Sequence, residues 1–132
     1  MARARGRLSR SEDFARVYRS GRSVANRYLV LYYFDRSTAD LAGASSGPRA
    51  GFSVSKRLGS AVVRNRIKRL LREAYRLQAN AVTTDVDLVF IAREPLTELI
   101  ETGGLEAVQE KMSEILRKAS LVLPKGEQQK TS

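Results

Sequence analysis

Six of the thirteen residues from Arg64 to Arg76 are Arg or Lys, and Glu73 is the only acid among them. Wound as a helix at about 100° per residue, Arg64, Asn65, Lys68, Arg69, Arg72 and Arg76 gather on one arc, with Arg66 near its border. Like charges four residues apart repel, by a few tenths of a kcal/mol per pair. A face built only for solvation would interleave glutamates. A guanidinium's planar fork bonds phosphate oxygens bidentately, so a polyanion is the partner that makes this row favourable.

A second set is aromatic: Phe14, Tyr18, Tyr28, Tyr32 and Phe34 all lie in the same half of the chain. Aromatic rings beside cations form stacking platforms for unpaired bases. Tyr18 and Tyr32 suit this best, because a phenol keeps a polar end in water. For any single ring, core packing is the competing fate.

The chain has no Cys and no His. That removes disulfides, thiol nucleophiles, imidazole acid–base chemistry and nearly all zinc sites. Metal-dependent nucleases need clustered carboxylates. The basic half offers only Glu12, Asp13, Asp35, Asp40 and Glu73. Asp85 and Asp87 read as exposed positions near a strand start. Ser55 to Gly59 lacks the Gly-Lys-Ser/Thr ending of a phosphate-cradling loop. No protein-borne catalytic site emerges, and no metal ligand is assigned. A single metal shared between RNA phosphates and one carboxylate stays open.

The charge is segregated along the chain. Lys plus Arg is 24 against 14 for Asp plus Glu, a net of +10. Residues 1–76 hold 18 basic and 5 acidic side chains, whereas residues 77–132 hold 6 basic and 9 acidic. Such one-sidedness points to a polyanionic partner. No segment approaches the roughly 18 consecutive apolar residues of a membrane span. The basic N-terminus has no apolar stretch after it, so no secretory signal is expected.

The elements that must position these residues follow from periodicity. Residues 1–8 read as a flexible basic arm. Ser9 and Glu12 look like a capping box opening a helix with Phe14, Val17 and Tyr18 on one face, stopped at Gly21. Tyr28 to Phe34 is aromatic and β-branched, hence a strand. Residues 36–48 form a loop of small residues, and a strand follows at 49–54. Ser60 caps the basic helix over about 62–77, whose apolar arc holds Val63, Ile67, Leu70, Leu71, Ala74 and Leu77. Residues 87–92 read as a buried strand. Pro95 breaks the pattern, and a last helix follows Gly103-Gly104. Residues 123–132 read as a disordered tail. The expectation is one α+β domain over 9–122, with helices on one face of a small mixed sheet in the order α-β-β-β-α-β-α.

The string Gly51-Phe52-Ser53-Val54-Ser55-Lys56-Arg57-Leu58-Gly59-Ser60, running on through Arg64-Asn65-Arg66 into the basic helix, closely resembles the signature of the bacterial ribonuclease P protein family. Glu12-Asp13-Phe14, Ser23 to Arg27 and Asp87 to Arg93 resemble its flanking segments in the right order, so the likeness spans roughly residues 8–120. It implies a subunit of a ribonucleoprotein that removes the 5′ leader of precursor tRNA, with the active site carried by RNA. Arg64, Asn65, Arg66, Lys68, Arg69, Arg72 and Arg76 would dock on that catalytic RNA. Phe14, Tyr18, Tyr32, Ser53, Lys56 and Arg57 would line a cleft for the single-stranded leader. The likeness further implies magnesium held mainly by the RNA, a cytoplasmic setting, no obligate protein partner, and a left-handed β-α-β crossover around the basic helix. The common rule for such crossovers is right-handed. Arg57 stands where the family often has a second lysine, and the loop at 36–48 is long. Two other readings remain: a structural ribosomal or other RNA-binding protein, which would not need the signature string, and a protein-only nuclease, against which the missing His and sparse carboxylates argue.

Overall fold

The computed structural model describes residues 7–38, 47–83 and 85–122. Its elements run α1 (Ser11–Ser20), β1 (Arg22–Ala25), β2 (Leu29–Asp35), β3 (Arg49–Ser53), α2 (Ala61–Arg76), β4 (Val86–Ala92) and α3 (Pro95–Lys118). The α+β class and element order match the expectation. The expected tail, most of the 36–48 loop and the first six residues of the arm lie outside the described residues.

The four strands form one mixed sheet in the order β1-β2-β4-β3. β2 pairs antiparallel with both β1 and β4, while β3 and β4 are parallel neighbours joined through α2. β4 is therefore central, which explains why Val86 to Phe90 are buried without alternation. Register sorts the side chains into two faces. Leu31, Phe90 and Phe52 align on one, and Tyr32, Val89 and Gly51 on the other. The first face packs against Ile67, Leu71 and Ala74 of α2 and Val108, Met112, Ile115 and Leu116 of α3. Phe52 stacks on Phe90 at 5.7 Å, and Tyr75 leans on Phe90 at 6.0 Å. The second face meets α1 through Val17 and Val89, with Leu8, Phe14, Tyr32 and Phe34 around them. Helices thus cover both faces, and the expectation of a one-faced arrangement fails for α1. The apolar rows Val30-Tyr32-Phe34 and Val89-Ile91 demand that second cover.

Three local expectations change. Ser9 makes no capping box: Arg10 occupies the cap position without a side-chain bond, and α1 begins at Ser11. Leu8 is not part of a loose arm. It is buried, and its N–H donates to the Ala50 carbonyl at 2.9 Å, closing the outer edge of β3. Pro95 starts α3 instead of breaking it, because the first helical position needs no N–H. Gly104, with a non-helical φ of 60° that suits glycine, divides α3 into two helical segments, the second being the helix expected after Gly103-Gly104. At Gly21, by contrast, space decides: a Cβ would sit 2.4 Å from the Tyr33 carbonyl oxygen and 2.5 Å from that of Val17.

Candidate nucleic-acid interface

The signature string is first a device for aiming α2. Ser55 Oγ accepts from the Arg57 N–H at 3.1 Å, fixing the turn at Lys56–Leu58. Gly59 follows with φ 146°, a conformation that side chains resist. Ser60 Oγ then accepts from the Val63 N–H at 3.3 Å, capping α2 as expected. Arg64 Nε donates back to the Gly59 carbonyl at 3.2 Å. Arg64 is thereby tied across the start of the helix.

The rest of the cationic arc turns outward. Asn65, Arg66, Arg69, Arg72 and Arg76 are exposed, while Arg64 and Lys68 are half-buried at the margin. The apolar arc is rotated from the sequence expectation. Ile67, Leu71, Ala74 and Tyr75 are buried, whereas Val63 and Leu77 are 41% and 47% exposed. The physical cause is reach: Tyr75 meets the Phe52 and Phe90 rings, while Val63 and Leu77 lie near the two ends of the helix. Arg76 grips Glu73, with Nε to Oε1 at 3.0 Å and Nη2 to Oε2 at 2.5 Å. That hydrogen bond holds the Glu73 carboxyl below its ordinary value. Among the described residues, Arg66, Arg69 and Arg72 form no salt bridge.

The aromatic set divides. Tyr28 packs against the main core under the Lys111 ammonium, and Phe34 packs beneath α1. Tyr18 meets Tyr32 edge to face at 5.1 Å and is 43% exposed. Burial, then repulsion from Tyr32, raises the Tyr18 hydroxyl above its ordinary range. The Phe14 ring lies flush on Gly51, where a Cβ would come within 2.5 Å of Phe14 Cζ. Gly51 is thus a positioning residue that sequence reasoning missed. Its signal was a glycine inside a strand, which marks close approach. Register puts Ser53 on the α1 face, one row beyond Tyr32 and beside Ile91 and Val30. Lys56 and Arg57 follow as exposed cations in the turn.

Of the expected cleft residues, Phe14 shares a groove with the α2 cations, while Tyr18, Tyr32, Ser53, Lys56 and Arg57 do not line it. A groove of about 730 Å³ runs along the outer edge of β3. Phe14, Arg7 and Leu8 form one wall, Lys68, Arg69, Arg72 and Arg76 the other, and Gly51, Phe52 and Tyr75 lie between. Beneath α1 sits a buried charge cluster that residue spacing did not reveal. Asp87, expected at an exposed position, is fully buried and receives hydrogen bonds from Arg36 and Arg49. Its hydrogen bond raises the Arg49 guanidinium further above its already high value.

A small mixed sheet with a cation-lined helix at one edge and the Phe14 ring across the groove defines an α+β domain with one strongly basic face. The family model for ribonuclease P matches residues 2–120, and the chain belongs to that family. Its class is bacterial tRNA processing. The ribonuclease P protein component of Caldanaerobacter subterraneus subsp. tengcongensis is 37% identical over 115 residues, covering 87% of this chain and 90% of that protein. The ribonuclease P protein of Staphylococcus aureus superposes with a TM-score of 0.73 at 33% identity, covering 89% of this chain and 97% of that one. The ribonuclease P protein of Thermotoga maritima gives a TM-score of 0.73 at 29% identity, covering 85% and 96%.

Proposed function

We propose that this chain is the non-catalytic protein subunit of ribonuclease P, docking on the catalytic RNA through α2 and holding the 5′ leader of precursor tRNA between α1 and the sheet. One observation carries the reading: the cations of α2 and the Phe14 ring face each other across a single groove. Guanidinium and ammonium groups neutralise phosphates without regard to sequence, and rings stack on unpaired bases. A strand leaving a docked RNA would meet the aromatic cleft next. Phe14, Tyr18 and Tyr32 would stack its bases, while Ser53, Lys56 and Arg57 would take its backbone.

Among the described residues no three acidic side chains converge on a point that could hold a metal ion. Those residues offer no carboxylate cage for magnesium, and in this reading RNA phosphates hold it. The protein's part is to lower phosphate repulsion, which tightens binding of both magnesium and substrate. The cytoplasmic setting rests on the family likeness alone. No described helix is long and apolar enough to cross a membrane.

The test is cleavage of precursor tRNA at low magnesium with a bacterial ribonuclease P RNA, with this protein, and with protein alone. Efficient cutting at the leader junction only in the RNA–protein mixture is expected. A protein that binds RNA without aiding cleavage would instead be a structural RNA-binding protein, and cutting by protein alone would make it a nuclease.

A further inference from the structure

We propose that the buried ion cluster around Asp87 sets the position of α1 on the sheet, and through it the place of the Phe14 ring that stacks the leader. The proposal rests on the reading of the α1 cleft as the leader site. Asp87 lies in the central strand and accepts three hydrogen bonds. Arg36 Nη1 reaches Oδ1 at 2.5 Å, Arg49 Nε reaches Oδ1 at 2.8 Å, and Arg49 Nη2 reaches Oδ2 at 2.8 Å. Arg49 then extends to the helix, its Nη1 3.7 Å from Asp13 Oδ2. The other Asp13 oxygen accepts from Arg16 at 2.9 Å. Asp13 directly precedes Phe14, and Arg49 lies two residues before Gly51, on which that ring rests.

The cluster does something the apolar contact cannot. Val17 on Val89 holds α1 down, but dispersion is non-directional and tolerates sliding or rolling. The bidentate Arg49–Asp87 pair fixes the direction of the guanidinium on the sheet, and the Arg49–Asp13 ion pair at 3.7 Å ties α1 to that fixed point. Burial of Asp87 and Asp13 shields the chain of contacts from salt. An apolar replacement of a buried ion cluster often gives equal or greater stability, so stability alone does not account for one here. Asp13 and Arg49 are positioning residues, since they would act on the leader through Phe14.

The test uses the protein assembled with ribonuclease P RNA and reads one ratio, the affinity for precursor bearing its leader over that for mature tRNA. Asp13→Asn is nearly isosteric and leaves the Arg49–Asp87 pair in place. It should lower the ratio about threefold or more, the size of coupling between residues in contact. Affinity for mature tRNA should not change. In a Phe14→Ala background the same substitution should have no further effect on the ratio. Arg49→Lys, which keeps the charge but loses the fork, should behave alike and serves if Asp13→Asn folds poorly. A general loss of folding would move both affinities together. An unchanged ratio in both variants, or an equal drop with and without Phe14, overturns the positioning role. If Phe14→Ala alone leaves the ratio untouched, the leader reading itself fails, and this proposal falls with it.

Discussion

Two groups of arginines in this chain have opposite surroundings. Arg66, Arg69 and Arg72 project from α2 into solvent without a carboxylate partner among the described residues. Arg36 and Arg49 converge on Asp87 beneath α1, where Arg36 is 1% exposed and Asp87 is fully buried. The residue type is the same, and the difference lies in what the fold brings opposite. On α2 the next helical turn supplies another cation, so the charge must be satisfied from outside. At the sheet, register places Arg49 directly against Asp87 in the neighbouring strand. One group leaves its charge open to solvent, and the other joins distant segments of the fold.

The sharpest way to break that contrast is at Asp87. Asp87→Leu would remove the buried carboxylate that Arg36 and Arg49 share, and a destabilisation of about 3–5 kcal/mol is expected from thermal or denaturant unfolding. An unchanged midpoint would mean that water reaches the cluster and that the two groups of arginines differ less than their burial indicates.

Next comes the other side of α2. Ile67→Ala empties a fully packed site and should cost about 2–5 kcal/mol. Val63→Ala, at a position 41% exposed, should cost well under half of that. Equal losses would show that the helix is rotated from the orientation described.

Arg69→Ala should leave stability within about 0.5 kcal/mol, as for other exposed sites. Its effect belongs to binding, where the magnitude of the salt slope of RNA affinity should fall by roughly 0.7–0.9. A variant with intact affinity and slope would remove Arg69 from the docking face.

The smallest effect concerns Tyr75. Burial pushes its hydroxyl up to about 12, and that oxygen has no hydrogen-bond partner among the described residues. The unfolded chain would lose this proton near the ordinary value of about 10. Stability is therefore fully present below pH 10 and is lost as pH rises from there toward 12. Tyr75→Phe should flatten that alkaline decline and change neutral-pH stability by no more than about 1–2 kcal/mol, toward greater stability. A decline as steep in the variant as in the parent would assign it to other groups.

Much of the site was legible in residue type and spacing. The cationic arc of α2 and its Ser60 cap follow from local pattern, whereas Phe14 entered through the family resemblance. The rotation of α2 was not legible, because an isolated helical wheel scores Val63 and Tyr75 by hydropathy alone. Which of them is buried depends on where the sheet ends. The start of α3 was hidden for a different reason: Pro95 fits both a helix break and a first helical turn, and only the docking of Leu96 and Ile100 in the core chooses the latter.

The sequence by itself determined that positive charge concentrates in one half of the chain and that no His or Cys chemistry is available, because both are fixed by composition. It also determined that α2 presents a row of cations on one face, because an i, i+4 pattern is local. Only the tertiary structure decided that α1 lies on the opposite face from α2 and α3, that Gly51 admits the Phe14 ring, and that Asp87 is the hub of a buried cluster. Those outcomes depend on strand register between distant segments, as for Arg49 and Asp87, which lie 38 residues apart in the chain. Pairing of β3 with β4 is set by the whole sheet closing over its core, and no local pattern of residues encodes it.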